Sequence, residues 1–240
     1  MSYEEKTIRF KNAIERVEYH SARYGAPGMP RQKKKQLTSE QMEKRNQHNR
    51  ERLARWKLRA NMEVNDYFVT LTFRKDARPP DMEEAKSRWQ KFIRKVRKEY
   101  QKRKYELKWM RNIEVGTRGA WHIHVILNRI PDTDLIIRAA WEWGRVVSQL
   151  LYEKGEFAQL AAYITKTPKT DPRLREASYS ASRNLPVPEP EKKIRKRWKT
   201  WGKIRIPKGF YLDQDSFREG INPYTGYKYR SYTLLRVRRI

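Results

Sequence analysis

Trp121-His122-Ile123-His124-Val125-Ile126-Leu127 decides how this chain is read. Apolar residues dominate, and two of the four histidines in the chain flank a single isoleucine. In an extended strand, side chains at i and i+2 share a face, so the two imidazoles stand side by side. Ile123 and Val125 then turn to the opposite, buried face. Paired imidazoles at this spacing suit a divalent metal, although histidine pairs of this kind are also met as half-buried groups satisfied by polar neighbours.

A third ligand follows from the turn before this strand. Glu106 to Val115 reads as one strand and Ala120 to Asn128 as the next, with Gly116-Thr117-Arg118-Gly119 between them. A three-residue loop with Gly119 in the left-handed conformation places Gly116 opposite Ala120 and Glu114 opposite His122. Glu114, His122 and His124 then share a face. A two-residue loop would send Glu114 to the other side, because a slip of one residue flips every side chain. Two nitrogens and a carboxylate with open positions suit Mn²⁺ or Mg²⁺ as a Lewis acid.

Further elements are placed outward from this hairpin. Tyr67 to Phe73 alternates as a strand, with Val69, Leu71 and Phe73 on one side and Thr70 and Thr72 on the other. Asp81 caps a helix over 82–104, whose apolar stripe includes Ala85, Trp89, Phe92, Ile93, Val96 and Tyr100. A second helix starts at Asp132 and ends by Trp141, Trp143 and Gly144. Val146 to Tyr152 reads as a short strand. A third helix runs from Glu156 to about Lys166 and stops before Pro168. The order predicts an α+β fold, a central antiparallel sheet flanked by helices. Residues 1–62 are expected to be a basic, largely helical extension, with a weakly helical stretch in 1–30, a loop at Tyr24 to Gly28 and a polar helix from Ser39 to about Asn61. Residues 63–170 form the central domain. Residues 171–240 form a basic extension of turns and short strands.

Charge names the partner. Lysine and arginine number 56 against 28 aspartates and glutamates, a net charge of +28. Self-repulsion of that size is offset by a polyanion, and nucleic acid is the simplest one. No long apolar run or lipidation motif points to a membrane. With no cysteine, disulfides, cysteine-ligated zinc and thiol catalysis are excluded. The N-terminal MSYEEKTIRF has no apolar signal region, so a cytoplasmic location is expected. Candidate backbone-holding cations are Arg88, Lys91, Arg94, Lys95 and Lys98 on the 82–104 helix, residues 31–59 and residues 192–205. Trp89, Trp109 and Trp141 are assigned to the core.

In Ala161-Ala162-Tyr163-Ile164-Thr165-Lys166, Tyr163 and Lys166 are i, i+3 helical neighbours. A phenol with a pKa near 10 is a poor nucleophile at neutral pH. A metal polarising a phosphate, with an ammonium beside it, would offset part of that deficit. Taken alone, Tyr-x-x-Lys is a common helical pair in a chain with 14 tyrosines.

A threonine-bearing strand (Tyr67 to Phe73), a His-hydrophobe-His strand (His122 to His124) and a downstream helical Tyr163 and Lys166 occur in that order. Over about residues 65–170 the chain resembles the HUH endonuclease superfamily in its single-tyrosine replication-initiator (Rep) branch. The segments Tyr179 to Pro186 and Gly220 to Pro223 also look like bacterial members of that group. The Tyr163 helix holds no second tyrosine, so the two-tyrosine mechanism of other members is not implied. The resemblance implies nicking of single-stranded or hairpin DNA at an origin. Tyr163 would be the nucleophile, Lys166 would steady the phosphate, and Glu114, His122 and His124 would hold Mn²⁺ or Mg²⁺. It implies a 5′-phosphotyrosine link, a free 3′-OH and later religation. No small-molecule substrate or nucleotide cofactor is implied, and no Walker-type phosphate loop is present, so a helicase would come from the host in trans. A single-tyrosine transposase or relaxase, a non-enzymatic nucleic-acid-binding protein and a phosphodiesterase using water are the alternatives.

Overall fold

The computed structural model describes residues 2–20, 37–116, 119–151, 157–166, 179–196, 200–222 and 225–237. It is an α+β protein with two five-stranded antiparallel sheets and four α-helices among the described residues. The chain divides into two compact units, Met1–Asn46 with Val187–Ile240, and Gln47–Pro186.

The Gln47–Pro186 unit is built on a sheet of order β6-β3-β5-β4-β7: β3 (Tyr67–Thr72), β4 (Trp109–Val115), β5 (Trp121–Leu127), β6 (Val146–Leu150) and β7 (Tyr179–Ala181). Both faces are covered, so the central strands carry apolar side chains on each side. Val69, Leu71, Ile113, Ile123 and Val125 pack under α2 (Met82–Lys102) and α3 (Thr133–Ala140). The stripe expected on α2 is the buried one: Ala85, Trp89, Phe92, Ile93, Val96 and Tyr100 are at most 1% exposed. Each large side chain of that stripe contributes roughly 1.5–3 kcal/mol by leaving water. Asp81 caps α2 by accepting from the Glu84 N–H at 2.8 Å. Trp109 and Trp141 lie in the same core.

Met110 and Ile126 on the other face pack with Ala54 and Leu58 of α1 (Ser39–Asn61) and with Ala161 and Ile164 of α4 (Phe157–Thr165). This is the face that carries Asn112, Glu114, His122 and His124.

Three boundaries differ from expectation. The first strand of the hairpin starts at Trp109, not Glu106. Lys104 takes a left-handed φ of 62° that ends α2, and the Asn128 side chain then ties down the Glu106 carbonyl and the Lys108 N–H. The last helix is described from Phe157; Glu156 and Tyr152 lie outside the described residues, as does the loop at Tyr24 to Gly28.

The other unit is a sheet of order β8-β1-β2-β10-β9: β1 (Tyr3–Arg9), β2 (Ala13–Tyr19), β8 (Glu191–Arg195), β9 (Phe210–Ile221) and β10 (Lys228–Arg236). Residues 3–9 and 13–19 are therefore strands, and the helical stretch expected within 1–30 is not formed there. The reason is an interior that pairs charges. Glu18 and Arg230 meet at 2.6 Å while both are buried, and Glu5 accepts from Arg195 at 3.1 Å. The buried side chains of these strands are partly acidic, which hides the alternation that marks a strand. Residues 210–221 and 228–236 also make longer strands than the short ones expected of the C-terminal segment.

Gly144 fits where no other residue does. A β-carbon there would overlap the Thr72 carbonyl oxygen. Gly144→Ala is therefore expected to lower stability by about 1–3 kcal/mol, as overpacking does. Urea unfolding measures it, and an unchanged midpoint would show that the chain has room to move.

Candidate functional site

The β4–β5 hairpin has the three-residue-loop register. Gly116 N–H donates to Ala120 C=O at 2.8 Å, Gly119 has φ 68°, and Glu114 pairs with His122. Thr117 and Arg118 lie outside the described residues. Asn112 pairs with His124, so Asn112, Glu114, His122 and His124 form a square on one face. The imidazole planes are nearly parallel, 20° apart, with centroids 6.3 Å apart.

β3 lies on the other side of β5, with Thr70 opposite His124 and Thr72 opposite His122. Thr70 Oγ1 is 3.1 Å from His124 Nδ1, and Phe68 stacks on the His124 ring with centroids 5.7 Å apart. The Tyr163 hydroxyl is 3.0 Å from His124 Nε2, and Glu114 Oε2 is 3.5 Å from the same nitrogen. One tautomer satisfies this pattern: Nδ1–H donates to Thr70, and Nε2 accepts from the phenol.

α4 delivers Tyr163 through its C-terminal end. The last carbonyls of a helix need partners from outside it. Here Gln47 Nε2 donates to Thr165 O at 3.3 Å and Asn112 Nδ2 donates to Lys166 O at 3.1 Å. Buried Ala161 and Ile164 seat the helix on the sheet, which leaves Tyr163 39% exposed and within reach of a substrate. Lys166 follows the last turn. Its N–H donates to Tyr163 O, and its side chain is exposed.

Burial pushes the Tyr163 phenol up to about 12, and the Glu114 charge adds to the rise. Burial first, and then His124, lowers the His122 imidazole, with Arg78 acting the same way and Glu114 opposing. His122 is thus neutral at pH 7 and has a lone pair to offer.

The structure brings Glu114, His122, His124 and Tyr163 together. Two imidazoles and a carboxylate on one face fit a divalent cation by donor chemistry. Closure is another matter: among the described residues no group of three His, Cys, Asp or Glu side chains is arranged to hold a metal ion, and Tyr163 occupies His124 Nε2. Sequence reasoning gives no role to Thr70, Phe68 or Asn112. Thr70 and Phe68 touch His124 only through the β3–β5 pairing, a register that no local pattern encodes. Asn112 does carry a signal, since it stands two residues before Glu114 and so shares its face.

Residues 66–168 match the family model of the Replication-associated protein ORF2. That segment contains β3 through α4 and all five predicted site residues, and it is less than half of the 240-residue chain. The likeness supports a replication initiator role and a DNA partner. No curated protein and no solved structure matches the chain. Among the described residues no helix is long and apolar enough to cross a membrane.

Thr70→Val keeps the shape of β3 and removes the hydroxyl. The His124 ring is then expected to lose its fixed tautomer while His122 keeps its own. Long-range ¹H–¹⁵N spectra of the imidazoles read this directly, and an unchanged His124 pattern would mean that Thr70 does not hold the ring.

Proposed function

We propose that this protein is a replication-initiator endonuclease that nicks single-stranded DNA with Tyr163 as its nucleophile. The observation that carries the reading is the Tyr163 hydroxyl 3.0 Å from His124 in a face shared with His122 and Glu114. The replication-associated family match over the same residues supports it.

On this reading Glu114, His122 and His124 hold Mn²⁺ or Mg²⁺ once Tyr163 releases His124 Nε2. The bound cation supplies Lewis-acid polarisation of a non-bridging phosphate oxygen. The residues of the chain do the rest. Thr70 and Phe68 fix the ring plane and tautomer of His124. Asn112 and Gln47 hold the end of α4, so the phenol keeps its distance from the sheet. The Tyr163 oxygen attacks phosphorus in line, forming the phosphotyrosine bond as the P–O3′ bond breaks. The proton lost by the phenol balances the one gained by the departing 3′ oxygen, which leaves as a 3′-OH able to prime synthesis. Lys166 steadies the phosphate charge. Attack by a 3′-OH on the phosphotyrosine reverses the step and religates the strand. The covalent link conserves the phosphodiester bond, so cleavage itself needs no nucleotide cofactor.

A single-tyrosine transposase or relaxase would use the same chemistry on a different DNA end. A nucleic-acid-binding protein without nicking activity is favoured by one observation, the lack of a closed three-ligand cage among the described residues, and predicts binding indifferent to Mn²⁺.

Labelled single-stranded origin oligonucleotide incubated with Mn²⁺ is expected to give a protein band shifted by attached DNA. Tyr163→Phe should abolish that band while binding persists. Glu114→Gln should slow adduct formation about 100-fold or more, of the order by which electrostatic groups at such sites act. Wild-type nicking by Tyr163→Phe would overturn the assignment.

A further inference from the structure

Trp141-Glu142-Trp143-Gly144-Arg145 is pressed against the end of β3. Arg145 O accepts from Thr72 N–H at 2.9 Å and Trp143 O from Arg74 N–H at 2.8 Å. Trp141 Nε1 donates to Thr72 O at 3.0 Å. With no space for a side chain at Gly144, the segment is a fixed ledge at the edge of the sheet, where β6 begins. A cavity of about 310 Å³ opens there, lined by Arg138, Trp141, Gly144, Arg145 and Val146.

Two cations line the cavity, and its walls carry no acid. Arg138 and Arg145 are both exposed. Among the described residues no hydrogen bond or ion pair engages either guanidinium. The nearby Lys95 is different, since Glu142 pairs with it at 2.8 Å. Unpaired arginines on a solvated surface are ordinary in a chain of this charge. Two of them on a rigid concave wall are a fork for an anion, and guanidinium geometry matches phosphate.

The ledge belongs to the sheet that carries the candidate site. Thr72 pairs with His122 on one side and bonds Arg145 on the other. Two strand spacings put the Arg145 and His122 backbones about 10 Å apart. A stacked strand rising ~3.4 Å per nucleotide covers that in about three steps.

We propose that this cavity is a phosphate subsite for the substrate strand, in which Arg138 and Arg145 grip the backbone about three nucleotides from the bond to be cut. The proposal rests on the single-strand substrate of the function proposed above. It adds a site that fixes where the strand lies relative to Tyr163.

The test uses the full chain in a Tyr163→Phe background, so that binding is read without chemistry. A fluorescent single-stranded oligonucleotide is titrated at several salt concentrations. Each phosphate contact contributes about 0.7 to the slope of log affinity against log salt on single strands. Arg138→Gln/Arg145→Gln should flatten that slope by about 0.7–1.4 and weaken binding at low salt at least about tenfold. Lys208→Gln/Arg218→Gln removes the same charge from exposed positions in the other unit and should leave the slope unchanged. An unchanged slope in the Arg138/Arg145 variant overturns the proposal. So does displacement of the oligonucleotide by equimolar inorganic phosphate or deoxynucleoside monophosphate, which would mark a free-phosphate site. A flattened slope together with no adduct from the wild-type chain would sink the nickase reading and leave the subsite standing. An adduct with an unchanged slope does the reverse.

Discussion

The hydrogen bond from Gly116 N–H to Ala120 C=O sets the register of the β4–β5 hairpin, and the rest of the site depends on that register. Glu114 stands opposite His122 because of it. One residue of slip would turn the carboxylate into the core under α2 and leave the two imidazoles without it. Gly119 at φ 68° is the residue that makes the turn, since a left-handed position strains any side chain with a β-carbon.

The second constraint is the seating of α4. A helix of nine residues has little stability of its own. It is held by Ala161 and Ile164 against Met110 and Ile126, and at its end by the amides of Gln47 and Asn112. Asn112 links two parts of the site: its Nδ2 lies 3.1 Å from Lys166 O and 3.5 Å from Glu114 Oε1. The tyrosine helix and the carboxylate therefore share one buried polar anchor. The raised ionisation of Tyr163 suits a resting arrangement in which a neutral phenol donates to His124. On the proposed mechanism the phenol is activated only when substrate and cation bring opposing charge.

Local pattern reveals much of the central sheet. Alternation marks Tyr67 to Phe73, the 3.6-residue stripe marks α2, and the Gly116–Gly119 spacing carries the hairpin register. These are short-range signals. Pairings between distant segments are not legible. The contact of Thr70 with His124 spans 54 residues, and no periodicity in β3 reports what lies beside it. The N-terminal strands escape sequence reading for a related reason. Their neighbours β8 and β10 come from near the other end of the chain, and Glu5, Glu18 and Arg230 are inside as partners, so an apolar/polar alternation never appears. Burying such pairs requires each charge to meet its opposite with good geometry, a condition visible only once the strands are side by side.

The account is tested most directly by locating a covalent bond. After reaction of the wild-type chain with single-stranded origin DNA and Mn²⁺, the linked peptide can be isolated and sequenced by mass spectrometry. A nucleotide phosphate on Tyr163 is the predicted result. Attachment to any other of the 14 tyrosines, or cleavage with no linked peptide, would contradict it.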